Sequence, residues 1–208
     1  MPLFKSIKVN SKTSVHIWKI TEDAAQLAGG LFLTPASKAR AAGMKSLIHR
    51  CGFLSVRHLL ALENYADADL FYDQWGKPHL GDGRHVSISH SFDYAAIIVS
   101  DMPVGIDIEK VRPKIVKIAS KFIGSEWDYL DQQGEHFIRH LTAIWCAKES
   151  LYKMFATPGL SFKNDLHIPD FHPLDITYFG ECHFDAILQQ HELAQLSLGD
   201  YHCSYTIG

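Results

Sequence analysis

Val104-Gly105-Ile106-Asp107-Ile108-Glu109-Lys110 is the stretch on which the fold turns. Its apolar residues Val104, Ile106 and Ile108 alternate with Gly105, Asp107 and Glu109, the two-residue period of a strand buried on one face. That period points both carboxylates the same way. Like charges so close repel unless a cation lies between them, and a hard divalent ion such as Mg²⁺ is the economical partner. An arbitrary Asp-x-Glu is more often a solvated strand face. Here Gly105 leaves room for a close backbone approach, and a second charged cluster follows some forty residues on.

The second cluster is Trp145-Cys146-Ala147-Lys148-Glu149-Ser150-Leu151-Tyr152-Lys153, inside a helical pattern from about Glu135 to Phe155. Phe137, Leu141, Ile144, Leu151, Met154 and Phe155 recur at the spacing of a core-facing stripe. Trp145, Glu149 and Lys153 fall at i, i+4 and i+8 on one face. A solvated helix also carries such Glu-to-Lys pairs, each worth a few tenths of a kcal/mol. An aromatic platform, a carboxylate and two ammonium groups equally suit a metal-bridged, phosphorylated ligand.

Composition narrows the classes. With 208 residues, 47% hydrophobic and 21% charged, the chain reads as a globular protein of one or two domains able to bury a sizeable core. No apolar run nears the ~20 residues of a membrane span, and Met1-Pro2-Leu3-Phe4-Lys5-Ser6 lacks the apolar core of a signal peptide. A cytoplasmic protein without a membrane partner is expected. Cys51, Cys146, Cys182 and Cys203 are scattered, as free thiols are in a reducing compartment. A net charge of −3 argues against a general nucleic-acid binder, so any anionic ligand must be met by local Lys and Arg. His136 and His140 have a zinc-compatible spacing, but no third ligand accompanies them, and surface positions are expected.

In chain order, Val15 to Ile20 alternates as a strand. Thr34-Pro35 reads as a helix cap followed by Pro in the first turn, opening a helix from Pro35 to about Met44. A second helix runs from Lys45 to Leu62, with Lys45, Arg50 and Arg57 at less apolar positions where they solubilise it or meet an anion. Trp75 to Leu80 is a turn leading into a short extended piece. Val86 to Ser91 and Tyr94 to Val99 are adjacent antiparallel strands, the first with Ser87, Ser89 and Ser91 on one face and His90 on the other. After Arg112-Pro113 a short helix sets Lys114, Lys117 and Lys121 beside an apolar stripe of Ile115, Ile118, Ala119 and Phe122. Ser125 caps a further helix with Glu126 in its first turn, where a carboxylate suits the helix dipole. Pro158-Gly159 stops the long helix. Asp165–Ile168, Asp175–Phe179, His183–Leu188, Leu193–Leu198 and Tyr201–Tyr205 read as closing antiparallel strands. Helices then strands, twice over, give an α+β fold in two similarly built halves, 1–102 and 103–208.

Four motifs in order, Gly76-Lys77-Pro78, Ser87-Ile88-Ser89-His90-Ser91, Gly105 to Glu109 and Trp145 to Lys153, resemble the signature of the Sfp-type 4′-phosphopantetheinyl transferases. The match is close from about Gly76 to Lys153 and loose elsewhere. The resemblance implies pseudo-twofold symmetry between the halves, each an antiparallel sheet packed against a long helix, and a monomer that supplies both halves itself. It implies Mg²⁺-dependent transfer of 4′-phosphopantetheine from coenzyme A to a serine of an acyl or peptidyl carrier protein, releasing 3′,5′-ADP. Asp107, Glu109 and Glu149 would hold Mg²⁺. Glu149, or a water held by it, would be the base, and Lys148 and Lys153 would meet phosphate oxygens, with Lys153 also protonating the leaving group. In the N-terminal half, Lys45 and Arg50 would meet the 3′-phosphate of coenzyme A, Gly76, Lys77 and Pro78 the adenine, and Ser89 and His90 a phosphate. Glu126 matches an acidic position near the metal, and Trp145 would orient the helix. Lys114, Lys117 and Lys121 would face an acidic carrier, or else form a solvated helix face. A Mg²⁺-dependent coenzyme A or nucleotide hydrolase would need the same carboxylates and lysines. A non-catalytic coenzyme A- or carrier-binding protein would not need the three carboxylates.

Overall fold

The computed structural model describes residues 3–172 and 174–208; Met1, Pro2 and Pro173 lie outside the described residues. The chain divides into two compact units, the second beginning at Pro103. The fold is mixed α+β, with antiparallel sheets in both units.

The N-terminal unit begins with β1 (Leu3–Lys8) and β2 (Ser14–Lys19), then α1 (Ala24–Ala28), α2 (Pro35–Gly43) and α3 (Leu47–Leu62). The small hairpin of β3 (Leu70–Tyr72) and β4 (Pro78–Leu80) follows, then β5 (His85–Ser91) and β6 (Tyr94–Ser100). Thr34 caps α2 with Pro35 in its first turn, and Ser46 caps α3, whose apolar stripe of Phe53, Val56, Leu59 and Leu60 is buried. The sheet order β1-β2-β6-β5 returns the last strand beside β2, and Val86, Ile97 and Val99 meet the α3 stripe in one core.

The C-terminal unit is built on a five-stranded sheet of order β7-β11-β10-β9-β8. β7 (Val104–Lys110) leads through two 3₁₀ turns, Pro113–Ile118 and Ser125–Asp128, and the short α4 (Ala119–Phe122) to the long α5 (Phe137–Phe155). β8 (Leu166–His167), β9 (Thr177–Phe184), β10 (Ile187–Leu198) and β11 (Tyr201–Ile207) then form a meander whose last strand pairs antiparallel with β7. α5 ends where Ala156 turns left-handed (φ 49°). Leu141, Ile144, Leu151 and Met154 on α5 pack on Leu166, Ile168, Tyr178 and Leu193.

Several expectations are corrected. β7 is buried on both faces from Val104 to Ile108, not on one, because α5 covers the face that carries Gly105 and Asp107. The expected strand His183–Leu188 is a hairpin: Asp185 and Ala186 both take positive φ (51° and 62°), a two-residue turn made without glycine. Ser125 opens a 3₁₀ turn with no side-chain cap. Arg57 does not solubilise α3. It is buried, its Nε 2.9 Å from Asp67 Oδ1, and its guanidinium lies over the Phe53 ring. His140 is half-buried between the rings of Tyr129 and Phe171, while His136 is exposed as expected.

The closest approach in the C-terminal unit lies at Gly105. A Cβ there would sit 1.7 Å from the Ser150 carbonyl oxygen and 3.1 Å from the Met154 amide nitrogen. The Ser150 hydroxyl lies 2.8 Å from the carbonyl oxygens of both Cys146 and Ser204, stitching α5 to β11 as well. Gly105→Ala forces α5 off the sheet, a main-chain clash that side-chain rotation cannot relieve. It is expected to lower stability by about 3 kcal/mol or more, read as a fall in the urea midpoint. A midpoint within error of the parent would disprove this packing.

Candidate active site

Two elements build the site. β7 presents Asp107 and Glu109 on the face that α5 covers, and α5 turns Glu149 and Lys153 toward them, one helical turn apart. Asp107 is only 4% exposed. Lys153 Nζ lies 2.7 Å from Asp107 Oδ1 and donates to the Ile106 carbonyl at 3.0 Å. Burial disfavours the Lys153 charge, but the carboxylates of Asp107 and Glu149 outweigh it and raise the ammonium above its ordinary range. Glu149 is the counterpart. Burial first, then the Asp107 carboxylate, push its carboxyl up to about 7, with Lys153 pulling the other way.

The structure places Lys148 elsewhere. Its side chain is wholly buried, with Nζ 2.6 Å from Glu126 Oε1 and donating to the carbonyls of Phe122 (2.7 Å) and Phe162 (3.0 Å). Glu126 also accepts from the amides of Gly124 (2.8 Å) and Ile168 (3.1 Å). The expected first-turn helix residue and the expected phosphate lysine are therefore one buried ion pair, which ties α5 to the chain on either side of it. Trp145 packs edge-on to Phe122 and stacked on Phe162.

Three carboxylates with only oxygen donors suit a hard divalent cation, and Asp107 adds to burial in raising the Glu149 carboxyl while Lys153 opposes both. By donor chemistry, Asp107, Glu109 and Glu149 fit such an ion. Among the described residues, no three acidic, histidine or cysteine side chains already converge as a finished cage. Lys153 lies against a carboxylate oxygen that an ion would use.

In the N-terminal unit, His90 sits on β5 facing α3. Gly52 makes room for it: a Cβ there would lie 2.6 Å from His90 Cγ. A glycine in mid-helix is the sequence signal for this contact. His49, in the first turn of α3, brings its ring to 5.8 Å from His90. Ser89 is buried on the opposite face of the strand. Lys77 and Pro78 belong to the β3–β4 hairpin, whose turn is held by Asp73 Oδ1 accepting from the amides of Trp75 and Lys77. Burial lowers the Lys77 ammonium, with Asp73 opposing. Lys45 is exposed just before α3, whereas Arg50 donates to the carbonyls of Met44 (2.6 Å) and Ala42 (3.3 Å), closing the turn between α2 and α3.

A family model described as the 4′-phosphopantetheinyl transferase superfamily matches residues 103–206, the unit that carries the carboxylates and α5. The chain belongs to that superfamily. A 4′-phosphopantetheinyl transferase of Bacillus subtilis is 37% identical over 100 residues, covering 44% of this chain and 42% of the relative. The 4′-phosphopantetheinyl transferase Sfp of Bacillus subtilis (strain 168) is 30% identical over 155 residues, 65% of this chain and 67% of Sfp. Enterobactin synthase component D of Salmonella typhi is 29% identical over 157 residues, 74% of this chain and 64% of the relative. The match to the first of these spans less than half of the relative's length.

Glu126→Gln leaves Lys148 charged in a site from which water is excluded. Loss of one partner of a buried pair costs about 3–5 kcal/mol, expected as a lowered urea midpoint. Glu126→Gln with Lys148→Met should recover much of that loss. A single substitution without effect on the midpoint would show that the pair does not hold α5.

Proposed function

We propose that this chain transfers the 4′-phosphopantetheine arm of coenzyme A to a serine hydroxyl of an acyl or peptidyl carrier protein, releasing 3′,5′-ADP. The observation that carries the reading is the buried Asp107 carboxylate with Lys153 Nζ at 2.7 Å and the raised Glu149 carboxyl beside it. Such a set neutralises and positions phosphate groups, and phosphoryl transfer depends chiefly on positioning and charge neutralisation. Names borne by the relatives, 4′-phosphopantetheinyl transferase and enterobactin synthase component D, support it.

Asp107, Glu109 and Glu149 are the residues that would hold Mg²⁺, and the bound ion supplies charge neutralisation for the diphosphate. Lys153 keeps its proton at Nζ and can deliver it to the departing phosphate oxygen. Glu149, directly or through a water, takes the proton of the attacking serine. Lys148, committed to Glu126, holds α5 in place and does not contact substrate. Lys77, Pro78, His90 and Lys45 in the N-terminal unit meet coenzyme A, with Gly52 setting the position of His90, whereas Arg50 closes the turn between α2 and α3 and Ser89 lies on the opposite face of β5. The exposed Lys114, Lys117 and Lys121 offer an acidic carrier a basic edge and act mainly on encounter rate. One chain supplies both units and works as a monomer.

Intact mass of an apo carrier protein incubated with the chain, coenzyme A and Mg²⁺ is the test. A gain of one phosphopantetheine mass is expected, slowed about 100-fold or more by Asp107→Ala or Glu149→Gln, with both variants retaining their circular-dichroism spectra. Free phosphopantetheine with unmodified carriers would instead support the hydrolase. Full activity in Asp107→Ala would exclude the site.

A further inference from the structure

The N-terminal unit contains a second chemical constellation, made of residues that the proposed transfer does not use. Ser6 on β1 and His16 on β2 are directly opposed across the antiparallel pair. Ser6 Oγ lies 2.7 Å from His16 Nδ1, and His16 Nε2 lies 2.7 Å from Glu63 Oε1 at the C-terminal end of α3. The serine is exposed on β1, which among the described residues is the edge strand next to β2. The other two are covered: the side chains of His16 and Glu63 are 10% and 15% exposed. Arg84 Nη1 stands 3.4 Å from the second Glu63 oxygen, and Lys8 Nζ donates to Ser14 beside the strand pair.

The polarity of this chain follows from its carboxylate end. Burial pushes the Glu63 carboxyl up, but hydrogen bonds from His16 and Ser14, the His16 charge and a hydrogen bond from Arg84 outweigh it and hold the carboxyl below its ordinary value. An ionised Glu63 only accepts, so His16 Nε2 donates to it, and when the ring is neutral Nδ1 presents its lone pair to Ser6. In that state the hydroxyl donates to the ring. Nucleophile, base and orienting carboxylate stand in the order of the serine-hydrolase relay, with the two ring nitrogens exchanged in role.

We propose that Ser6 is a base-activated nucleophile, a second reactive site that accepts acyl groups from activated esters reaching the open edge of β1. Ser6 Oγ forms a bond to the ester carbonyl carbon as its proton passes to His16 Nδ1. The tetrahedral adduct collapses by breaking the bond to the leaving alcohol, which takes that proton. Glu63 stays ionised throughout and holds the imidazolium. Water attacking by the same route then releases the carboxylic acid and restores the serine. Glu63 is a positioning residue, acting only through His16.

The test uses the full-length chain and a fluorophosphonate probe, with which Ser6 forms an O–P bond while the P–F bond breaks and fluoride leaves. Peptide mapping is expected to place the adduct on Ser6. Ser6→Ala should remove the adduct while leaving carrier modification unchanged. His16→Gln should slow labelling about 100-fold, and Glu63→Gln about tenfold or more, with thermal melts checking that each variant folds. Should His16→Gln not fold, the parent's pH profile decides: the rate should rise with the deprotonation of one base and then level off. An unlabelled Ser6, labelling undiminished in a folded His16→Gln, or a rate that climbs with hydroxide throughout would overturn the proposal and reduce the chain of bonds to a tie between β1 and α3.

Discussion

The backbone of α5 rests on Gly105, where a methyl group would stand 1.7 Å from the Ser150 carbonyl oxygen, and the arrangement of charged side chains in the C-terminal unit depends on that approach. A helix laid on a sheet over side chains would hold its own side chains well clear of the strand. Here the missing Cβ lets the last turns of α5 descend on β7, so that Lys153 reaches both the Ile106 carbonyl and Asp107. The same descent shields Asp107 and raises the carboxyl of Glu149. One glycine thus sets the electrostatics two residues further along the strand.

Two ion pairs on α5 have opposite tasks. Lys148–Glu126 is sealed at zero exposure and satisfied by two carbonyls and two amides, so it fixes the helix against the chain before and after it. In Lys153–Asp107 the lysine side chain stays about a quarter exposed, with Asp107 buried. Lys148 and Lys153 lie five positions apart on one helix, and a step of about 100° per residue sends them to different surroundings.

The parts of the fold with strong periodicity were legible in the sequence. β2, β5, β6, β7, α2, α3 and α5 all appear within a few residues of their expected bounds, and Gly105 was read correctly as a point of close approach. What failed is what a single period does not encode. β7 is buried on both faces because a helix covers its polar side, and no alternation reports a cover supplied forty residues later. The β9–β10 turn uses Asp185 and Ala186 in left-handed conformations, without the glycine that usually marks such turns. Lys148 and Glu126 are both charged, and only three-dimensional packing distinguishes a buried pair from two site residues. His90 was visible as a motif residue, but its dependence on Gly52 joins a strand to a helix thirty-eight positions earlier in the chain.

The claim at the centre of this account is that Asp107, Glu109 and Glu149 act together as one divalent-cation site. Titration with Mn²⁺ followed by electron paramagnetic resonance, in the presence of coenzyme A, measures it without reference to turnover. A single Mn²⁺ should bind the parent chain, and Asp107→Asn should weaken it by about tenfold or more while the chain stays folded. Equal affinity in the parent and in Asp107→Asn would contradict the account.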